Sequence, residues 1–211
     1  ELNEVLEARK AEEASLIAPS LDFIVVQKSD NTIDLKATIK AKIKGIFTKL
    51  PLLKVTFLQV SDTAEKNLGF VITDKNGKAV LNVKNDALLM ANNASLSFKA
   101  SFAGNKQMET ADGEVTVKKG LLQLTPVKED SLLTVKVKFM LPGGVADSSI
   151  KDLTIGIFVK RSFNPLKIGE GTTDENGEVT IEVPANLPGD NKGNITLLAK
   201  LDENETFGNL E

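Results

Sequence analysis

The sequence Ile33-Asp-Leu-Lys-Ala-Thr-Ile-Lys-Ala-Lys-Ile43 carries the clearest secondary-structure pattern of this chain. Every second side chain in it is apolar, and those between are polar or charged. A period of two places one face of a β-strand in a core and the other in water. The same alternation returns in Leu133-Thr-Val-Lys-Val-Lys-Phe139. The sequence therefore predicts an all-β protein.

The two alternating stretches belong to an internal repeat whose copies are offset by 100 positions. Lys66-Asn-Leu-Gly69 precedes Thr73-Asp-Lys-Asn-Gly-Lys78, and Leu166-Lys-Ile-Gly169 precedes Thr173-Asp-Glu-Asn-Gly-Glu178. Apolar positions match at the same offset: Leu35 with Val135, Ala37 with Val137, Ile39 with Phe139, Leu53 with Leu153, Val55 with Ile155, Phe57 with Ile157, Leu81 with Ile181 and Val83 with Val183. The offset slips by one after residue 84, where Leu96 meets Ile195. We interpret this pattern as a tandem duplication.

Asn-Gly between alternating runs is typical of a tight hairpin, because both turn residues need a positive φ. Asp112-Gly113 predicts a further turn. The first copy is expected to hold strands near residues 21–26, 33–43, 52–60, 67–73, 78–83, 95–102 and 107–118. The second is expected to hold strands near 121–127, 132–140, 152–160, 166–172, 178–183 and 194–201, with a stub at 205–211. A shortened last strand predicts an open sheet edge, or a chain that continues beyond it.

Strands at this spacing predict two β-sandwich domains, at residues 19–118 and 119–211, joined around residues 118–120. Residues 1–18 form a charged helical linker in this scheme. Leu2, Val5 and Leu6 supply a narrow apolar stripe, and Pro19 ends the helix. The helix is either an amphipathic cap or linker, or the exposed end of a longer helix that emerges from a membrane anchor.

Four residue types are absent from the sequence: Cys, His, Trp and Tyr. This excludes thiol nucleophiles, imidazole bases and the usual zinc sites, so any enzyme would depend on carboxylates, Lys and Ser. Flat aromatic platforms for sugars or bases are restricted to ten Phe. A net charge of −3 with both signs interspersed does not fit nucleic-acid binding. We expect no catalytic residues, no cofactor and no metal.

Both copies resemble bacterial surface β-sandwich repeats in the pattern Leu-Gly…Thr-Asp-x-Asn-Gly of residues 68–77 and its counterpart Ile-Gly…Thr-Asp-x-Asn-Gly of residues 168–177. The similar families are the Ig-like invasin-type domains and the prealbumin-like domains of the carboxypeptidase-regulatory or Cna B type. The resemblance implies a periplasmic or extracellular envelope protein, with the domains serving as spacer, stalk or accessory ectodomain.

Several residue groups are candidate sites, each with a plainer alternative. The Asp- and Asn-rich turns at 29–31, 62, 74–76, 174–176 and 202–205 offer oxygen ligands for calcium, but turn chemistry also explains them. Lys36, Lys40, Lys42 and Lys44 line one strand face, either for an anionic partner or as a solvated face that protects an edge. Cna B-type domains join a Lys to an Asn, which would place Lys36 with Asn105, or Lys136 or Lys138 with Asn209. These lysines alternate with the apolar face, which is the wrong side for a buried reaction.

Two further groups complete the candidates. Glu170, Asp174 and Glu178 flank Ser162 or Thr172 without a partner base, which is also ordinary solvated surface. Ile46-Phe47 with Leu50-Pro51-Leu52, and Phe163-Asn-Pro-Leu166, are apolar loops that either dock a partner or plug the ends of each sandwich.

The sequence therefore predicts a non-catalytic structural or protein-interaction module of a bacterial envelope protein. Its expected partner is another protein or an envelope component, and a membrane anchor outside the segment is possible. A glycan- or cell-wall-binding module, or a regulatory appendage of an enzyme outside this segment, are the alternatives.

Overall fold

The computed structural model describes residues 2–5, 7, 16–62, 64–89, 95–129, 132–144, 150–190 and 192–211. Residues 2–5 and 7 are helical, which confirms a short N-terminal helix. Positions 1, 6 and 8–15 of the expected helix lie outside the described residues. Residues 16–18, also expected to be helical, are not, because Ile17 forms a parallel β-bridge with Met108. No helix in the described part of the chain is long and apolar enough to cross a membrane.

The described residues form fifteen strands, so the all-β prediction is confirmed. The strands of the first half are β1 (Pro19–Gln27), β2 (Thr32–Ile43), β3 (Ile46–Lys49), β4 (Lys54–Val60), β5 (Glu65–Ile72), β6 (Lys78–Lys84), β7 (Ser95–Phe102) and β8 (Ala111–Lys118). Those of the second half are β9 (Leu121–Glu129), β10 (Leu132–Met140), β11 (Thr154–Val159), β12 (Leu166–Thr172), β13 (Glu178–Glu182), β14 (Leu197–Asn204) and β15 (Gly208–Leu210). Short 3-10 turns occupy Asn85–Ala87 and Pro142–Gly144.

The chain divides into two compact units. The first comprises the described parts of Glu1–Val25, Asp34–Ala91 and Leu96–Thr116, and the second those of Val26–Ile33, Asn92–Ser95 and Val117–Glu211. The domain boundaries expected at residues 18 and 118 stay a prediction.

In the first unit, β2 pairs with β1, β3 and β6 in one sheet, and the second sheet has the order β5-β4-β7-β8. The inward residues of both sheets are buried, including Leu35 and Ile39 on β2, Phe57 on β4 and Phe98 on β7. Phe23 of β1 lies against Phe57, with ring centroids 6.0 Å apart. The core therefore lies between two sheets, as the alternation predicts.

In the second unit, β13-β10-β9 form one sheet, and β12-β11-β14-β15 form the other. One apolar cluster joins them, with Val135, Val137 and Phe139 of β10 packed with Ile155 and Ile157 of β11. Both units also carry a β-bulge at the same repeat position, between Phe57 and Leu58 and between Ile157 and Phe158.

The stub at the C-terminal end is not an open edge, contrary to one expectation. Val26 and Gln27, which belong to the second unit, pair in parallel with Asn209 and Leu210 of β15. Gln27 is 5% exposed, and its side-chain amide donates to the carbonyl oxygens of Lys118 and Phe207 at 2.9 Å each. A segment distant in sequence therefore completes this sheet, which local patterns cannot indicate.

The Asn-Gly turns do not close hairpins, contrary to the prediction. β5 and β6 lie in different sheets of the first unit, and β12 and β13 lie in different sheets of the second. Residues 73–78 and 173–178, the corner turns, therefore carry the chain from one sheet to the other. Gly77 and Gly177 have the expected positive φ of 69° and 72°, but Asn76 and Asn176 are not among the positive-φ residues.

A buried threonine hydroxyl anchors each corner turn. The Thr73 hydroxyl donates to the carbonyl oxygen of Leu50 at 2.8 Å and accepts from the Leu53 N–H at 2.9 Å. Thr173 does the same with Ile150 at 2.7 Å and Leu153 at 2.9 Å. Both threonines are 2% exposed, so these hydrogen bonds satisfy polar groups that water does not reach.

The aspartate of each corner turn binds backbone N–H groups. Oδ1 of Asp74 accepts from Asn76 at 2.7 Å and from Lys78 at 3.0 Å, and Asp174 repeats this with Asn176 and Glu178. The N–H of Lys78 lowers the pKa of Asp74 below its ordinary value, and that of Glu178 lowers the pKa of Asp174. Their stabilising contribution is present above the pKa of an unfolded Asp and is lost as the pH falls through the lower folded pKa.

Two other local predictions are wrong. Asp112-Gly113 lies inside β8 instead of forming a turn, and Gly113 does not have a positive φ. The glycine there permits close approach of Phe23, since a Cβ would lie 3.0 Å from Cβ of Phe23. Ile46 and Phe47 belong to strand β3, which pairs with residues 40–43 of β2, and are not in a loop.

Side-chain hydrogen bonds hold the loop at residues 85–89 on one end of the first unit. Nε2 of Gln59 donates to the Leu89 carbonyl oxygen, and the Leu89 N–H donates to Oε1 of Gln59, both at 2.7 Å. Nζ of Lys66 donates to the Ala87 carbonyl oxygen. Gln59 is 2% exposed, so the part-buried hydrogen bonds to Leu89 satisfy its side-chain amide and hold the loop on the end of the sandwich.

Replacing Gly77 with alanine is expected to destabilise the chain far more than replacing Gly45. Both have positive φ, but a Cβ at Gly77 would lie 2.5 Å from the Ile39 carbonyl oxygen, whereas nothing lies within 4 Å at Gly45. Backbone strain alone gives about 1–2 kcal/mol for Gly45→Ala. The added overlap gives roughly 3 kcal/mol or more for Gly77→Ala. Urea unfolding measures both, and equal losses would contradict the role assigned to Gly77.

Gln59→Leu is expected to lower the free energy of unfolding by about 1–3 kcal/mol, because it leaves the N–H and C=O of Leu89 without their partners. The matched control is Gln107→Leu, since Gln107 is exposed and such surface changes cost roughly 0.5 kcal/mol or less. Urea unfolding followed by circular dichroism gives both values. A Gln59→Leu variant as stable as Gln107→Leu would show that the hydrogen bonds to Leu89 do not stabilise the chain.

Candidate functional site

Among the described residues, the second unit does not repeat the hydrogen bonds that Gln59 and Lys66 form in the first. The positions equivalent to Gln59 and Lys66 are Val159 and Leu166, whose side chains cannot form hydrogen bonds. A cleft of about 650 Å³ lies at one end of the second unit, between the loop at residues 160–165 and the segment at residues 188–196. The two copies therefore share a core pattern and differ at this end of the unit.

The far wall of the cleft is held by another aspartate-capped turn. Oδ1 of Asp190 accepts from the N–H groups of Lys192 at 2.8 Å and Asn194 at 2.9 Å. The Gly193 N–H donates to the Asp190 carbonyl oxygen at 2.8 Å. A Cβ at Gly189 would lie 2.6 Å from the carbonyl carbon of Gly193, so the two glycines let the turn close on itself. One carboxylate oxygen of Asp190 is thus already used by the protein.

The near wall carries the polar and aromatic groups of the cleft. Lys160 and Arg161 are exposed, and neither forms an ion pair within the described part of the chain. The side chains of Ser162 and Asn164 likewise have no hydrogen-bond partner among the described residues. Phe163 is 97% exposed. Two cations, two neutral polar groups and one aromatic ring therefore face water without internal partners.

The sequence identified only part of this cleft. Phe163-Asn164-Pro165-Leu166 was a candidate docking loop, and its first two residues line the cleft. Lys160 and Arg161 were not singled out. The sequence does contain one signal: the first copy has Gln59 and Lys66 where the second has Val159 and Leu166. This difference can be interpreted only after the structure shows which hydrogen bonds Gln59 and Lys66 form.

The apolar segments of the first unit were expected either to dock a partner or to plug the end of the sandwich, and their residues differ in burial. Leu50 is 5% exposed and belongs to the core, in agreement with a plugging role. Ile46, Phe47 and Leu52 are 71%, 68% and 82% exposed and do not plug the end of the unit.

Lys36, Lys40 and Lys42 lie on the outward face of β2, as predicted, but they do not protect an edge because β2 is paired on both sides. Lys44 lies in the turn after β2, with a φ of 49°, and not on the strand face. Lys40 contacts Asp22 at 2.7 Å, and Lys36 lies 3.7 Å from Asp34. Lys42 and Lys44 are exposed. Half of the stripe is therefore used in local ion pairs.

The Lys and Asn residues considered for a covalent cross-link have other partners. Lys136 and Lys138 both contact Glu178, at 2.7 Å and 3.1 Å. The Asn105 side chain accepts from the N–H groups of Gln107 and Met108, and that of Asn209 from the N–H of Glu203.

The structure does not bring Glu170, Asp174 and Glu178 together as a reactive group. Glu170 pairs with Lys167, and Asp174 caps its corner turn. The hydrogen bond from Lys136, followed by that from Lys138, lowers the pKa of Glu178. Glu170 is therefore used in an ion pair with Lys167, while Asp174 and Glu178 are used within the corner turn and its lysine contacts.

The acidic turns considered for calcium are held by their own backbone. Oδ1 of Asp30 accepts from the N–H and hydroxyl of Thr32, and Oδ1 of Asn204 accepts from the N–H groups of Thr206 and Phe207. In the portion of the chain that the structure describes, no group of three or more acidic side chains is positioned to hold a metal ion.

Comparison with known proteins gives distant structural neighbours and no family. No family model matches this chain, and no curated protein matches it. A tetra-tandem repeat from the extending region of a large adhesion protein is similar at 12% identity and a TM-score of 0.35, over 92% of this chain and 47% of that one. This chain thus spans about half the length of that neighbour.

Two further neighbours come from surface proteins. The D0-D1 domain of intimin has 19% identity and a TM-score of 0.30, over 92% of this chain and 94% of that one. A 1.5-MDa bacterial ice-binding adhesin has 11% identity and a TM-score of 0.30, over 87% of this chain and 62% of that one. These neighbours are adhesin and intimin domains, the class of bacterial surface domain that the sequence resembles.

Proposed function

We propose that this chain is a non-catalytic structural and interaction module of a bacterial cell-envelope or surface protein. Its two sandwiches serve as a spacer, stalk or accessory ectodomain in the periplasm or outside the cell. The partner is another protein or an envelope component. Residues 19–118 and 119–211 are the proposed domains.

One observation carries this proposal: the buried polar groups of both units are used to hold the fold. Thr73 and Thr173 anchor equivalent corner turns, while Gln27 and Gln59 tie distant segments through hydrogen bonds. An active site instead places polar groups toward a substrate and perturbs their ionisation together. The groups retained through duplication stabilise a sandwich.

The surface charges support the same proposal. Within the described part of the chain, several contacts pair one Lys with one carboxylate, as for Lys40 with Asp22 and Lys151 with Glu175, and the others form small groups around Lys99, Glu178 and Glu211. Exposed pairs of this kind contribute little to stability and are typical of a solvated surface. The candidate carboxylates therefore have a non-catalytic explanation.

A second candidate function, glycan or cell-wall binding, is favoured by the cleft of the second unit. Its unpaired cations and exposed Phe163 are groups that a ligand can use. This function is compatible with an envelope module, because a stalk domain can also bind the glycans or cell-wall polymers that surround it.

Fractionation of the cells that produce the protein tests the proposed location. An antibody against this chain is expected to detect it in the envelope or periplasmic fraction, and protease added to intact or osmotically shocked cells is expected to remove the signal. A cytoplasmic enzyme marker in the same cells is the control. Protection of the chain until the cytoplasm is lysed would overturn the proposal.

A further inference from the structure

We infer that the cleft of the second unit binds a short acidic oligosaccharide, through Arg161 and Lys160 to its carboxylates and through Phe163 to a sugar face. This inference rests on the proposed envelope function and names the ligand class for one site. It concerns the end of the unit at which the duplicated copies differ.

The positive charge of the cleft favours an anionic ligand. Lys160 and Arg161 bring two positive charges that no described acidic side chain neutralises. Asp190 is the acidic residue of the lining, and its Oδ1 already accepts two backbone N–H groups. A guanidinium group can hold a carboxylate through two parallel hydrogen bonds, which fixes the orientation of the ligand as well as its charge.

The remaining lining groups match a sugar ring. The hydroxyl of Ser162 and the amide of Asn164 can exchange hydrogen bonds with sugar hydroxyls, since each both donates and accepts. Phe163 has almost its full ring exposed beside them. A sugar presents apolar C–H groups on one ring face and hydroxyls around its rim, so it uses the aromatic and polar groups together.

The geometry of the cleft disfavours an extended acidic peptide. A peptide that adds to a sheet needs an edge strand with unpaired N–H and C=O groups. Val159 ends β11, which is paired on one side by β12 and on the other by β14. The Lys160 N–H also donates to the Thr196 carbonyl oxygen at 2.9 Å. The cleft thus lies at the end of a paired strand, where side chains dominate recognition.

The size of the cleft fits a short ligand. Its volume of about 650 Å³ lies within the range of roughly 300–1,000 Å³ that is usual for small-molecule sites. In the first unit the equivalent positions, Gln59 and Lys66, bind the loop at residues 85–89, so the proposal concerns the second unit.

Isothermal titration calorimetry of the whole chain with a galacturonic acid tetrasaccharide tests the proposal. We expect saturable binding with one site per chain that weakens as NaCl rises, because exposed charge pairs are screened. A neutral galactose tetrasaccharide is expected to bind at least about tenfold more weakly, and Arg161→Ala is expected to weaken binding of the acidic probe by about tenfold or more. Phe163→Ala is expected to weaken binding of both saccharides.

Matched control variants come from the first unit. Lys42→Ala removes an exposed cation, and Phe47→Ala removes an aromatic ring that is 68% exposed, both outside the cleft. Neither is expected to change binding. Because Arg161 and Phe163 are also exposed, all four variants are expected to melt at the same temperature as the parent chain, which circular dichroism checks.

Three results would overturn the inference: no saturable binding of the acidic tetrasaccharide, binding unchanged by both Arg161→Ala and Phe163→Ala, or tighter binding of a hexaglutamate peptide. If the chain nevertheless lies in the envelope fraction, this inference alone fails. If the chain lies in the cytoplasm, the proposed function fails whatever the saccharide result.

Discussion

The structure depends on a buried threonine hydroxyl at the point where each unit changes sheets. Thr73 and Thr173 each donate to a loop carbonyl and accept from a loop N–H, while the following Asp-x-Asn-Gly segment turns toward the other sheet. The Gly77 and Gly177 carbonyl oxygens then accept from Ile39 and Phe139 at 2.8 Å. Leaving any of these buried groups unpaired would cost free energy. The corner turn thus holds the two sheets of each unit together.

Comparison of the two copies shows which residues the corner turn requires and which residues can vary. Apolar core positions and corner turns are retained, and even the left-handed backbone recurs, at Leu52 in one copy and Asp152 in the other. The end loops are under no such constraint. At the equivalent positions, Val159 and Leu166 lack the hydrogen-bonding groups of Gln59 and Lys66, and a cleft lined by Lys160 and Arg161 lies at this end of the second unit. A stable repeat can therefore acquire a binding surface at its end without changing its core.

Period-two alternation predicted most strands because burial of one face leaves a direct mark on the sequence, as in residues 33–43. Strand β3 escaped because its four residues are all exposed and so show no alternation. The Asn-Gly turns were recognised as turns but misread as hairpins, since a short motif does not show which strands pair. The pairing of Val26 and Gln27 with β15 joins residues far apart in the chain. Of the cleft, the sequence indicated Phe163 but not the cations, because exposure and the lack of partners are properties of the fold.

Amide hydrogen exchange at Leu53 and Leu153 tests the central role of the corner turn most directly. Their N–H groups donate to the hydroxyls of Thr73 and Thr173 and lie outside the strands. If the corner turns hold each unit together, these amides exchange as slowly as the core strand amides of Phe57 and Ile157, through unfolding of the whole unit. Exchange many times faster than in the core strands would show that the corner opens locally while the sandwich persists, and would contradict the account.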